Sequence, residues 1–367
     1  MLTPEKLSSY EFNKVTKLYN QLNIDISADI IKRIEKLGGE FTESTKYQLK
    51  KLAQLNGKEI FNKALLETAK LDNMTISALK ELYEDVAFQD MQGYKELYDY
   101  RDRAFELGAS QYQILNAGIK ATSKELKNFT KSIAFSSKEL YVNTVDKAYA
   151  KVITGAFDYN TAINQAYKEV AEQGITLKDK AGRNVNLDVA VRRNVLNGIK
   201  TTANEMNRDI EQELGTDGYE VTAHIGARDT HAVAQGKQYA LTEKDGRKYG
   251  IGIWDKVKDL WEEYNCRHTY FGIILGISEP QYEKSELKEL KEATITLNGK
   301  KVPYYEATER QRVIERDIRE TKRVIDTLYK ADKRYKEYND KLKQLYSEYN
   351  QFTRETGMIK QNERLQI

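Results

Sequence analysis

The chain has 367 residues, 59 of them basic and 56 acidic, for a formal net charge of +3. That length suits two or three domains, and so small a charge excludes a global electrostatic pull toward nucleic acid. A mean hydropathy of -0.71 with 31% charged residues fits long, surface-rich helices. No apolar stretch is long enough to span a bilayer. A single cysteine rules out an internal disulfide, and the opening MLTPEKLSSYEF has no signal-peptide core. The expectation is a soluble chain of a reducing compartment, without membrane contact.

The only prolines are Pro4, Pro280 and Pro303. Between the first two, nothing blocks helix formation through a fixed φ and a missing N–H. The spacing predicts a helical module over 1–135. Ser27 is read as the cap of a helix with Ile30, Ile31 and Ile34 on its apolar face and Gly38 at its end. Thr42, with Glu43 in the first turn, opens a helix that stops at Gly57, and Thr75 precedes a third with Leu79, Leu82 and Ala87 in its stripe. A second segment, 136–214, places a helix between an Asn160 cap and Gly174. A β-hairpin follows, with Ile175, Leu177 and Val185 around a turn at 179–182. Helix then returns from Leu187 to Leu214, with Val191, Val195 and Ile199 at helical spacing.

The character changes at Gly215. Glycines, alternating stretches such as YEVTAHI and both tryptophans predict a small α+β domain over 215–304. Trp254 and Trp261 lie two helical turns apart, which predicts a shared helix face. Residues 295–304 read as a hairpin with Asn298-Gly299 in type I′ positions. From Glu306 to Phe352 neither Gly nor Pro occurs, so 305–367 reads as one long C-terminal helix. A heptad-like seam runs through Ile314, Ile318, Thr321, Ile325, Leu328, Tyr335, Leu342, Tyr346 and Tyr349, interrupted by Asp332 and Asn339. Such a seam is compatible with a coiled coil and makes this helix the candidate interaction surface. Basic residues outnumber acidic ones between Arg310 and Lys343, the best local candidate for DNA or an acidic partner. A solvated helix of mixed charge is the plainer reading. The expected fold is mainly α and multi-domain, with a small α+β domain and a long C-terminal helix.

All three histidines and the cysteine fall between residues 224 and 268. His224, His231, Cys266 and His268 could form a zinc site, although the Cys266–His268 spacing is not that of a zinc finger. Cys266 with a histidine could be a nucleophile and base, and a histidine with Arg228, Asp229 or Arg267 could serve phosphodiester chemistry. No acid–base pair or phosphate loop stands at a diagnostic spacing. The reading placed first is therefore a polar core without metal or cofactor. In it Arg228, Asp229, Asn265 and Arg267 tie loops together, Gly226 and Gly236 turn the backbone, and Cys266 is a small buried group.

The ordered string His224, Gly226, Ala227, Arg228, His231, Gln235, Gly236, then Asn265, Cys266, Arg267 and His268, resembles the phage minor capsid protein 2 family. That family is related to the Mu F-like head morphogenesis proteins of tailed bacteriophages. The likeness covers roughly 141–276, including NLDVAVRRNVLNGI. It departs from the family at Ala234, where Trp is usual, and at FGIILG, where Pro-Phe is usual. The resemblance implies a few-copy minor head protein made in the host cytoplasm and lying in the virion, inside the capsid near the portal vertex. Its implied partners are the portal protein, the inner surface of the major capsid protein, and packaged DNA or scaffold. It also implies a core likened to the ADP-ribosyltransferase fold, but no matching Arg/His, Ser/Tyr and Glu series is found, so no enzyme activity is expected. The competing expectations are a metal-dependent nuclease or degenerate ADP-ribosyltransferase, and a DNA-ejection protein supported by the long tail helix.

Overall fold

The structure, a computed structural model, describes residues 2–37, 46–263, 266–297 and 299–367. It is mostly helical, with three small sheets among the described residues. Helix α1 (Pro4–Ser9) is capped by Thr3, whose hydroxyl accepts the Lys6 amide at 3.2 Å. Helix α2 (Lys14–Leu37) is the centre of the helical part. Val15, Tyr19, Leu22, Ile26, Ile30, Ile34 and Leu37 recur every three or four residues and are all buried. Helices α3 (Lys46–Lys70), α4 (Asp72–Gln92) and, after the short α5 (Lys95–Tyr100), α6 (Ala109–Ile153) pack around it.

Three expected boundaries move. Ser27 is fully buried in mid-α2 and bonds Asn23 Oδ1 at 3.2 Å, so it caps nothing. Thr75 lies within α4, where Leu79 and Ala87 are buried and Leu82 half-buried. Gly57 lies within α3, and a Cβ there would come within 3.2 Å of Val142 on α6. Its glycine allows close helix approach and does not stop the helix. Packing on several sides carries these helices past residues that would end an isolated one. Gly38, Thr42 and Glu43 lie outside the described residues.

The 45 residues of α6 make a rod about 68 Å long. It continues from the first segment into the second without a break, and apolar residues of both join one core. Helix α7 (Tyr159–Gln173) starts at Asp158, not Asn160, because the Asp158 carboxylate accepts the Thr161 amide at 3.0 Å. It ends at Gly174, at φ 59°. The hairpin pairs β1 (Thr176–Lys178) with β2 (Asn184–Asn186), Leu177 opposite Val185. Helix α8 (Leu187–Leu214) follows as expected, with Val191, Val195 and Ile199 buried.

The α+β part is a four-stranded sheet. Its centre is β3 (Gly218–Val221), antiparallel to β4 (Gln238–Ala240) and β6 (Tyr270–Ile273). Helix α9 (Asp229–Ala232) lies between β3 and β4, and α10 (Glu243–Tyr249) precedes β5 (Gly252–Ile253), which pairs parallel to β4. Phe271 and Ile273 of β6 pack with Ile210 and Leu214 of α8. Val221, Tyr239, Trp254 and Trp261 form a second cluster. The tryptophans share that cluster but no helix face: they lie on two 3-10 turns, Trp254–Lys256 and Lys258–Glu262, separated at Val257, whose φ of -128° is not helical. Helix α11 (Lys284–Glu292) leads to the expected hairpin, β7 (Thr294–Leu297) with β8 (Lys300–Pro303); Asn298 lies outside the described residues, and Gly299 has φ 72°.

The tail is not one helix. Helices α12 (Tyr304–Lys330) and α13 (Lys336–Thr356) pack on each other as a helical hairpin. The break is a Schellman closure, in which the Lys333 amide donates to the Leu328 carbonyl at 2.8 Å and the Asp332 amide to Tyr329 at 3.0 Å. Asp332 takes the left-handed conformation at φ 58°, a position usually given to glycine. With no Gly or Pro at the site, the interruption of the seam at Asp332 does not read as a helix stop. Folding back buries most of the seam inside the chain: Ile314, Ile318 and Tyr349 share a cluster, and Leu328 joins the core of the N-terminal helices. Ile325, Tyr335, Leu342 and Tyr346 are half-buried against the same clusters.

Many of the tail's basic residues are also engaged within the chain. Arg323 donates to the Ala171 and Glu172 carbonyls at 2.8 and 2.7 Å, satisfying the C-terminal end of α7. Arg319 and Lys322 reach the Arg364 and Leu365 carbonyls, and Lys330 and Lys333 pair with Asp25 and Glu35 of α2.

Candidate functional site

The histidine–cysteine window converges. Beyond β3 and β6 the ladder continues through threonines: the Thr222 amide donates to the Thr269 carbonyl, and the Thr269 amide to Thr222 Oγ1, both at 3.0 Å. This places His224 beside His268, ring centroids 4.6 Å apart. The turn through Gly226, at φ 75°, leads into α9 and sets His231 5.4 Å from His268, ring to ring. Trp261 lies 5.1 Å from the His268 ring and 5.6 Å from that of His231.

The hydrogen bonds assign the tautomers. A carbonyl oxygen can only accept, so a ring nitrogen facing one carries its proton. His224 Nδ1 donates to the Ile225 carbonyl at 2.9 Å, and His231 Nε2 to the Leu260 carbonyl at 2.9 Å. His231 Nδ1 then accepts from the Thr230 hydroxyl at 3.0 Å. Gln235 Oε1 accepts the His224 amide at 3.1 Å, so His268 Nε2, 2.9 Å from the same oxygen, is also a donor. The remaining lone pair of His268, on Nδ1, faces Cys266 Sγ at 3.5 Å. Burial pushes His268 down to about 2, with His224, His231, Lys200 and Arg228 adding to the effect. Burial lowers His224 too, and raises the Cys266 thiol. One ring nitrogen each of His231 and His268, with Cys266 Sγ, lie within 4.8 Å of one another, a set able to hold a metal ion.

The remaining motif residues differ in what they touch. Arg228 pairs with Glu263 at 3.1 Å, and Glu263 lies 3.8 Å from His231 Nε2. Asp229 is exposed at the start of α9. Gly236 has φ 66°, and a Cβ there would come within 2.2 Å of Leu287 Cδ2 and 3.1 Å of Ala223 Cβ. Asn265 lies outside the described residues. Arg267 pairs with Glu11 at 2.8 Å, and its charge adds to the lowering of His224.

Several contributors carry no sequence signal of their own. Lys200 of α8 donates to the Trp261 and Cys266 carbonyls, fixing the loop on the helix. Thr269 Oγ1 donates to the Leu2 carbonyl, and Glu11 joins Arg267 to Arg364. Leu2 thus meets the end of the sheet at this window, and Glu11 links Arg267 of the window to Arg364. Among these residues Thr269, directly after the NCRH string, stands close enough to have been weighed with it.

A family model described as phage minor capsid protein 2 matches residues 2–354. The match extends well beyond 141–276 and takes in the N-terminal helices. No curated protein and no solved structure matches the chain. No described helix is long and apolar enough to cross a membrane.

Proposed function

The chain belongs to the phage minor capsid protein 2 family, and on that premise we propose that it is a minor structural protein of a tailed-phage head, inside the shell near the portal vertex. There it acts in head assembly and in DNA packaging or delivery. A capsid-family protein works among other head components, here the portal protein and the inner surface of the major capsid protein. The observation that carries this reading is the extent of the match, nearly end to end, so the role belongs to the whole molecule and not to the motif alone.

The structure supports a docking surface on the N-terminal helices. The tail seam is mostly covered within the chain, whereas Leu55 and Leu66 of α3, Phe88 of α4 and Phe135 of α6 stand exposed. Apolar residues on the outside of a helical body are the material of protein interfaces. DNA contact is a weaker element, given the net charge of +3 and the internal ties of the tail's basic residues. No turnover is proposed, because four of the six imidazole nitrogens are held in hydrogen bonds and a fifth faces Cys266. The ejection reading leaned on a single long tail helix, which the hairpin replaces.

The test combines cryo-EM of intact particles with a Leu66→Asp, Phe135→Asp double variant. The protein should lie inside the shell at the portal vertex. The variant, with an unchanged melting temperature, should enter heads about tenfold less, the factor that follows from losing about 1.4 kcal/mol of contact. Density outside the shell, or normal incorporation of the variant, would overturn the reading.

A further inference from the structure

We propose that His231, Cys266 and His268 bind one zinc ion, with the Glu263 carboxylate closing the fourth position. The sequence alone favours a metal-free core; the argument for metal comes from how the fold brings the ligands together.

The distances are those of a zinc tetrahedron. With Zn–S about 2.3 Å and Zn–N about 2.0–2.1 Å, a tetrahedral ion holds a sulfur and a nitrogen ligand about 3.5 Å apart. Cys266 Sγ and His268 Nδ1 are 3.5 Å apart. Two imidazoles on one such ion have ring centroids about 5 Å apart, against 5.4 Å for His231 and His268. All three ligand atoms already lie within 4.8 Å of one another.

The chemistry also fits. Ligating histidines usually donate the other ring N–H to an oxygen that fixes the tautomer. His268 does this to Gln235, which is itself held by the His224 amide. Its Nδ1 lone pair is thereby aimed at the sulfur. His231 gives up one bond on ligation, to the Thr230 hydroxyl or to the Leu260 carbonyl. Lys200, bonded to the Cys266 carbonyl, and Arg228, paired with Glu263, set two cations beside the site, which disfavours a net positive centre. One thiolate and one carboxylate neutralise Zn²⁺; the Glu263 carboxylate, 3.8 Å from His231 Nε2 but outside the three-ligand set, closes the last position by leaving its pair with Arg228. Binding releases the Cys266 proton to solvent and leaves no open position for water, so the ion is structural.

The test uses the full-length protein, reduced and freed of metal by chelator, titrated with Zn²⁺ or Co²⁺ alone. Stoichiometric binding is expected, with proton release, a rise in melting temperature and a sulfur-to-cobalt charge-transfer band. Cys266→Ser should abolish that band, and Glu263→Gln should weaken binding about tenfold or more, as loss of one supporting group typically does. His224→Gln, outside the ligand set, should keep the band. Wild-type protein that is folded by circular dichroism but binds neither ion overturns the proposal, and this arm does not depend on any variant folding. Stoichiometric binding that persists in Cys266→Ser with an unchanged spectrum overturns it equally.

Discussion

Glu11 offers the sharpest test of how the motif is tied to the rest of the chain. It sits on the 3-10 turn Tyr10–Phe12, only 8% exposed, and splits its carboxylate between two arginines. Oε1 meets Arg267 of the motif at 2.8 Å, and Oε2 meets Arg364 near the C-terminus at 2.9 Å. Burial by itself would raise this carboxyl, but Arg364, Arg267 and Arg192 outweigh it and hold it at about 2. Burial correspondingly lowers Arg267 to about 10, against the pull of Glu11. Glu11→Gln keeps the shape and removes the charge, leaving both guanidiniums without this counter-charge. A carboxyl moved from 4.5 to about 2 corresponds to about 3 kcal/mol, at about 1.4 kcal/mol per tenfold change in proton affinity. Breaking a buried pair from one side costs about 3–5 kcal/mol in general, which agrees. Urea denaturation at pH 7 should therefore show a loss of about 3 kcal/mol with an unchanged m-value. The sign follows from the depressed folded value: the contribution is complete above about 4.5 and is lost as pH falls through about 2. The gap between wild type and variant should close over that range. A loss under about 1 kcal/mol at pH 7, or a gap that persists in acid, would show that the clasp does not couple motif and termini.

Asp332→Gly should stabilise the protein by about 1 kcal/mol, because glycine adopts the left-handed conformation at φ 58° without the Cβ penalty; a loss in chemical denaturation would contradict the Schellman reading. Glu211 behaves oppositely to Glu11. Burial raises it to about 7 despite hydrogen bonds from Tyr219 and Tyr94, so its contribution is complete below about 4.5 and lost as pH rises through about 7. Glu211→Gln should flatten the decline of melting temperature across that window, and an equal decline in the variant would refute the assignment. Gly236→Ala should cost about 1–2 kcal/mol or more, from the strained φ and the 2.2 Å approach to Leu287 Cδ2; a melting temperature equal to wild type would show that the loop relaxes.

What could be read from the sequence was local. Gly174 ends α7 at a positive φ, Leu187–Leu214 is helical as its spacing predicts, and both hairpins pair where the sequence places them. These signals involve residues a few positions apart, so the chain carries them wherever it folds. The cap readings failed for the opposite reason: Ser27 and Thr75 are cap-forming side chains absorbed into helices that neighbours cover on several sides. The tail failed because its stop is an aspartate in a conformation that composition does not announce, and the 45-residue rod stands instead at α6. The motif string by itself pointed to the family and to a single cluster. Its chemistry was decided only in three dimensions. Tautomers, burial and the 3.5 Å approach of Cys266 to His268 depend on Thr222, Lys200 and Gln235, which are remote from NCRH in sequence, as well as on Leu260 just before it. The meeting of Glu11 with Arg267 and Arg364 joins positions more than 250 residues apart. Local pattern holds no information on such encounters, because they are set by which surfaces the packed helices leave facing one another.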